Sequence, residues 1–180
     1  MKAAVKLFFL AVVLILPQFS QIKAQTDNNQ QANRDSVIAA AREIIGQLKY
    51  CALITHDSDG AANVRTMNPF PPEDDMSVWM ATLSTSRKAD DIRKNPKVTL
   101  YYANHADVKG YVTITGHAEL INDPAEIQKR KREYWTQAFP DWSKLMLIKI
   151  VPERLEVINY HKKLYNNSVN WLAPNINFSK

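Results

Sequence analysis

Apolar residues recur at helical spacing in two parts of the chain. The first spans residues 35–48, where Asp35 or Ser36 caps a helix whose apolar face holds Val37, Ile38, Ala41, Ile44, Ile45 and Leu48. The second begins at Asp123-Pro124, an N-cap residue followed by proline at the first helical position, and is predicted to reach about Phe139. A shorter helix is predicted between them, from Ala89 to Lys94, and Asn95-Pro96 ends it. All three helices are expected to pack beside a larger β structure.

Most of the remaining apolar runs are short and bounded by turn residues, which is typical of strands. The predicted strands cover 50–56, 61–67, 76–82, 97–102, 111–121, 144–150 and 154–160. Asp57-Ser58-Asp59-Gly60 joins the first two into a hairpin, and connections this short are compatible only with antiparallel pairing. Gly116, in the middle of the long fifth strand, marks a bulge or a bend. The pattern predicts a mainly β fold, a small closed antiparallel barrel with flanking helices.

The N-terminus has the pattern of a secretory signal. Lys2 and Lys6 precede an uninterrupted apolar run at 7–16, which is short for a membrane span, and Ala24 offers a cleavage site. We therefore expect a signal peptide at 1–24 and a secreted or periplasmic protein; an uncleaved N-terminal anchor is the alternative. Residues 25–34 are predicted to be a flexible lead-in, 35–162 the folded domain, and 163–180 a C-terminal tail.

Composition and charge exclude some functions. The formal net charge is +5, but three of the lysines lie in the predicted signal, so the exported chain would carry only about +2. This is too little to indicate nucleic-acid binding. The single cysteine, Cys51, cannot form an internal disulfide and lies in an apolar strand pattern, which favours a small buried side chain over a nucleophile.

Candidate chemistry is concentrated in residues 82–96. A strand end leads into a hydroxyl-rich turn, then into Ser86-Arg87-Lys88 and a helix N-terminus. Backbone N–H groups, hydroxyls and cations together favour an anion such as a phosphate. The alternative is a surface turn with solvated charges. Arg65 is a cation on a half-buried strand and needs a partner, which could equally be a surface carboxylate.

Other chemistry finds less support. His56, His105, His117 and His161 have no metal-ligand spacing, so no metal site is predicted. His117 could approach a flavin or haem, although a structural histidine is the more common case. The neighbouring acids Asp90 and Asp91 should point apart on a helix, which makes them a poor acid–base pair.

Four segments, in order, resemble one known family. They are Arg65-Thr66-Met67, residues 78–82, Ser86-Arg87-Lys88 through Asn95-Pro96-Lys97-Val98, and residues 111–118. From about 36 to 160 the chain is similar to the pyridoxamine 5'-phosphate oxidase-like FMN-binding split-barrel proteins, in particular to the general stress protein 26 subgroup. The resemblance implies a six- to seven-stranded antiparallel split β-barrel with peripheral helices. It also implies a homodimer with FMN in a groove between the subunits.

The same resemblance implies roles for individual residues. Arg65 and Lys88 would face the FMN phosphate, with Ser86 and Arg87 alongside. The backbone around Thr66-Met67 and Ala81-Thr82 would follow the ribityl chain and the isoalloxazine edge. No catalytic acid or base is identified. The longer Arg-Val-Leu-Leu-Lys run of the true oxidases is absent, which disfavours vitamin B6 oxidation.

The expectation is therefore an exported FMN-binding protein, a flavin-dependent oxidoreductase that acts on a small molecule. The alternative is a non-enzymatic stress protein that binds flavin or haem, and a different flavin, haem or no cofactor remain open for the site. We expect the partners to be a second copy of the chain and a small-molecule substrate, with no nucleic acid and no stable membrane association after signal cleavage.

Overall fold

A computed structural model describes residues 33–107 and 109–178. The chain divides into two compact units, 1–38 and 39–180. Of the first unit, only residues 33–38 are described, and they are helical. The predicted signal peptide and most of the predicted lead-in lie outside the described residues. Within the described ranges, no helix is long and apolar enough to cross a membrane.

The second unit is organised around one antiparallel sheet. The strands are β1 (Cys51–His56), β2 (Ala62–Met67), β3 (Val78–Leu83), β4 (Lys97–Ala103), β5 (Gly110–Ile121), β6 (Leu145–Asn159) and β7 (Asn175–Asn177). They follow the order β2-β1-β4-β5-β6-β3 in the sheet, and β7 also pairs with β6. The predicted mainly β, antiparallel split-barrel architecture is confirmed, with an open sheet and peripheral helices.

The apolar core lies on one face of the sheet, and side chains along the strands alternate between that face and the other. Alternation is clearest in β1 and β4, where every second side chain is buried, as expected for strands with one face on a core. Fully buried residues at the centre are Leu53, Leu100, Ile114, Ile148 and Leu155. The middle strands are thereby fixed, while β2 and β3 stand at the two ends of the path of paired strands. This leaves the two end strands free to border a site.

The two last predicted strands are in fact one. β6 runs without a break from Leu145 to Asn159, although Pro152 lies within it. Pro152 pairs with Gly116 of β5, where the register shifts, so the proline sits at a bulge and interrupts no regular ladder bond. A Cβ on Gly116 would lie 2.0 Å from the Val151 carbonyl oxygen, which explains why the bulge needs glycine. The short strand β7, in the predicted tail, was not anticipated.

The second long helix was predicted wrongly. Helix α1 covers 33–46 and α2 covers Arg87–Lys94, close to prediction, but the third helical region is split into α3 (Pro124–Lys129) and α4 (Trp135–Ala138). The break allows Arg130 to stack 3.7 Å from the Trp79 ring centroid and to pair with Glu73 at 2.8 Å. It also allows Arg132 to reach the loop after β2. Tertiary contacts of the cations thus override their local helix preference.

Candidate functional site

A groove of about 300 Å³ lies between the two end strands of the sheet. β2 contributes its last residues and β3 contributes its C-terminal half, so the groove occupies the opening of the split barrel. The N-terminus of α2 closes one side, and side chains next to and after α4 contribute aromatic rings. Its lining consists of Thr66, Met67, Asn68, Ala81, Thr82, Leu83, Ser86, Lys88, Tyr134 and Phe139.

The polar part of the groove is a cluster of two hydroxyls and one ammonium group. The chain leaves β3 through a turn in which the Ser86 N–H donates to the Leu83 carbonyl at 3.0 Å. Ser86 is then the N-cap of α2, and its Oγ accepts from the Ala89 N–H at 3.4 Å. The Thr82 and Ser86 hydroxyls are 2.9 Å apart, and Lys88 Nζ donates to Thr82 Oγ1 at 3.3 Å. The turn chemistry therefore concentrates donors at a helix N-terminus.

Lys88 is a half-buried cation without a carboxylate partner among the described residues. Burial lowers the pKa of its ammonium group, and the nearby charge of Arg65 lowers it further. Both effects disfavour the charged form, so the protonated amine is held in an environment that lacks a negative charge. An anion in the groove would supply that charge. This is the electrostatic feature that most clearly indicates a ligand.

Arg65 takes part in a separate buried network. Its Nη2 donates to Asp91 Oδ2 at 2.8 Å, and its Nη1 donates to Thr55 Oγ1 at 2.5 Å. The Thr55 hydroxyl in turn donates to the same Asp91 oxygen at 2.7 Å. The side chains of Arg65 and Asp91 are only 14% and 7% exposed. Arg65 therefore has a carboxylate partner, Asp91. That carboxylate is buried and does not lie at the surface.

The network leaves Asp91 charged. Burial alone would raise the pKa of this carboxyl, but hydrogen bonds from Thr55 and Arg65, with the charges of Arg65 and Arg87, hold it below its ordinary value. The neighbouring Asp90 points away and pairs with Arg93 at the surface. Asp91 thus holds Arg65 where its charge acts on Lys88. The hydrogen bonds of Arg65 to Thr55, Asn63 and Asp91 leave its Nε–H and one Nη2 hydrogen unused.

Six of the eight residues predicted for the cofactor site line the groove: Thr66, Met67, Ala81, Thr82, Ser86 and Lys88. Arg65 does not line it but acts on Lys88 through its charge. Arg87 is exposed on the first turn of α2 and contributes charge to Asp91. The roles of all eight toward a cofactor remain predictions.

Four lining residues were not predicted. Asn68 and Leu83 directly follow Met67 and Thr82, which were predicted for the site, so the sequence contained a signal for them. Tyr134 and Phe139 were not recoverable in the same way, because they come from the region predicted as one continuous helix. Only the break between α3 and α4 brings their rings to the groove.

Other reactive groups lie elsewhere. Burial raises the pKa of the Cys51 thiol to about 12, although the nearby Tyr102 hydroxyl acts in the opposite direction. None of the four histidines lines the groove, and within the described part of the chain no three potential ligands are grouped to hold a metal ion. Lys88 and Tyr134 are the titratable side chains in the groove lining.

Comparison with known proteins supports the predicted relationship. The family model for pyridoxamine 5'-phosphate oxidase matches residues 37–159, about two thirds of the chain. This stretch contains every residue of the polar cluster and both end strands. Among curated proteins, no sequence matches the chain.

Solved structures share the fold. The general stress protein 26 of Bacillus anthracis is 24% identical, covers 67% of this chain and 92% of its own, and superposes with a TM-score of 0.58. A Clostridium acetobutylicum protein related to general stress protein 26, of the pyridoxinephosphate oxidase family, is 18% identical with coverages of 79% and 93% and a TM-score of 0.61. A haem-binding protein from Mycobacterium smegmatis is 14% identical, with coverages of 66% and 52% and a TM-score of 0.54.

Proposed function

The chain belongs to the pyridoxamine 5'-phosphate oxidase family, and from this premise we propose that it binds FMN in the groove between β2 and β3. The observation that carries the proposal is Lys88, a half-buried cation at the N-terminus of α2 with two hydroxyls beside it and no carboxylate partner among the described residues. A phosphate monoester carries nearly two negative charges and three acceptor oxygens. It would match this set of donors.

The residues divide the groove into two ends. Lys88, Ser86 and Thr82 would hold the phosphate, with Arg65 adding positive charge from behind and Arg87 from the surface. The strand ends at Thr66-Met67 and Ala81-Thr82 would lie along the ribityl chain and the edge of the ring. Tyr134 and Phe139 supply the aromatic surfaces against which a planar ring can stack.

Bound FMN would supply hydride or electron transfer, which no side chain provides. We propose that the protein is a flavin-dependent oxidoreductase for a small molecule. The protein's contribution would be to bind the phosphate, orient the ring against the strand ends and exclude water with Tyr134 and Phe139.

We also propose that two copies form a homodimer, with the groove at the subunit interface. Two features support this: both end strands border a groove that is open on one side, and Val64 on β2 is 64% exposed to solvent. A second subunit would cover this edge and complete the site. Export by the N-terminal signal is likewise proposed, on the sequence pattern of residues 1–24.

The proposal is tested by titrating flavin-free protein with FMN and following the flavin absorbance and fluorescence. Lys88→Ala should weaken binding strongly, while Lys94→Ala, an exposed lysine in the last turn of the same helix, should not. Riboflavin, which lacks the phosphate, should bind weakly and should not distinguish the variants. Equal FMN affinity for wild type and Lys88→Ala would make the phosphate assignment wrong.

A second candidate is a non-enzymatic protein that sequesters a planar ligand in a stress response. The similar Mycobacterium smegmatis protein binds haem, but here the groove lining contains no histidine to ligate iron. Reduction of the bound flavin by NAD(P)H would support the oxidoreductase. A bound flavin that no donor reduces, or a Soret band on adding haem, would support the sequestering function.

A further inference from the structure

A second cavity, of about 310 Å³, lies between the end of α1 and the proline-rich loop that follows β2. It adjoins the groove between β2 and β3, because Asn68 lines both. Its walls are mainly apolar and include Ile45 and Leu48 on one side and Pro69 and Phe70 on the other. A cavity of this size with apolar walls is large enough for a small organic molecule.

Among the described residues, two guanidinium groups at the rim donate only to neutral acceptors. Arg42 donates to the backbone carbonyls of Pro72 at 3.0 Å and Glu73 at 2.6 Å. Arg132 donates to Asn68 Oδ1 at 2.8 Å and the Pro69 carbonyl at 2.9 Å, and it lies 3.9 Å from the Phe70 ring centroid. These bonds hold both cations in place, but they do not neutralise them.

Lys49 adds a third cation to the lining. Its Nζ lies 5.3 Å from the Tyr50 ring centroid and has no carboxylate partner among the described residues. By contrast, Arg130, two residues before Arg132, pairs with both Glu73 and Glu126. The cavity therefore combines an apolar interior with three cations that no described carboxylate balances, an arrangement that favours a negatively charged ligand with an apolar body.

We propose that this cavity binds a small carboxylate with a flat apolar body. The carboxylate would lie between Arg42, Lys49 and Arg132, and the apolar part would contact Ile45, Leu48 and the Pro69-Phe70 wall. This site is separate from the phosphate cluster around Lys88, and the inference does not depend on FMN binding.

The test is calorimetric titration of the purified chain with 2-naphthoate and, in parallel, with the uncharged 2-naphthalenemethanol. We expect naphthoate to bind at least tenfold more tightly than the alcohol, and this preference to shrink as salt is raised. Gly46→Trp should abolish binding, because Gly46 lines the cavity and a Cβ there meets no atom within 4 Å, so the new side chain starts from open space beside the cavity. Gln128→Trp, an exposed position on α3, places the same ring elsewhere and should bind naphthoate like the wild type.

Lys49→Glu provides a second reading that does not rely on filling the cavity. This variant should bind naphthoate about fivefold more weakly and bind the alcohol with unchanged affinity, which is the range expected for a partly solvated charge. Absence of naphthoate binding, equal affinity for acid and alcohol, or full binding by a folded Gly46→Trp would each overturn the proposal. FMN titration of the same samples reports on the other groove, so the two failures can be told apart.

Discussion

Replacing Lys88 by arginine should separate the charge of this residue from its titration. In the wild type, burial and the charge of Arg65 lower the pKa of Lys88. The dianionic phosphate of FMN forms above a pKa of about 6. FMN affinity should therefore be highest between that value and the lowered lysine pKa, and it should fall as pH rises through the latter, because the neutral amine no longer attracts the phosphate. Arginine stays protonated throughout this range.

The magnitude follows from the contacts in the groove. A hydrogen bond to a charged group contributes about 1.5–3 kcal/mol, so removing the ammonium in Lys88→Ala should raise the FMN dissociation constant at neutral pH by roughly 10- to 150-fold. Lys88→Arg should stay within about fivefold of wild type. The alanine variant should also lose the alkaline fall in affinity, since the titrating group is gone.

The assay is FMN titration by fluorescence quenching, at constant ionic strength, across the neutral to alkaline range. The two comparisons that matter are the slope of log affinity against pH in wild type and in Lys88→Arg. An alkaline fall of the same size in both proteins would have to come from the flavin or from another residue. That result would refute the assignment of Lys88 as the phosphate cation, whatever the affinity of Lys88→Ala.

Three further predictions concern stability and reactivity. Asp91→Asn should lower the free energy of unfolding by about 3 kcal/mol in urea titrations, since it leaves the largely buried Arg65 without its carboxylate partner, whereas exposed Asp90→Asn should change it by less than about 0.5 kcal/mol. Because its folded-state pKa is lowered, the Asp91 carboxylate stabilises the fold above the unfolded value of about 3.9, and wild type should lose this contribution as pH falls through the folded value. Asp91→Asn lacks the carboxylate, so this part of the acid destabilisation should be missing from the variant. Gly116→Ala should lower the free energy of unfolding by about 3 kcal/mol because its Cβ would meet a backbone oxygen at 2.0 Å, while Gly46→Ala, with open space around it, should leave the thermal midpoint unchanged or slightly higher. Cys51, with a thiol pKa of about 12, should react with a disulfide reagent only after denaturation; rapid reaction of the native protein would contradict its burial.

Local patterns were sufficient for most elements of the fold. Short apolar runs on either side of the Asp57–Gly60 turn located the strands of the hairpin, and Asn95-Pro96 located the end of α2, since both signals depend on residues close in sequence. The polar cluster of the site was visible for the same reason. Thr82, Ser86 and Lys88 lie within seven consecutive residues, so one turn brings them together.

The sequence by itself thus determined the antiparallel β architecture, the family, and one end of the groove. The tertiary structure decided the rest, because it depends on partners distant in the chain. Arg65 found a buried carboxylate 26 residues away, and β6 continued through Pro152 because Gly116 allows a bulge. The helix after Asp123 broke because its arginines bind Glu73 and Asn68, 57 and 64 residues away. That break supplies the aromatic end of the groove and Arg132, one of the three cations of the neighbouring cavity, and a local pattern encodes neither.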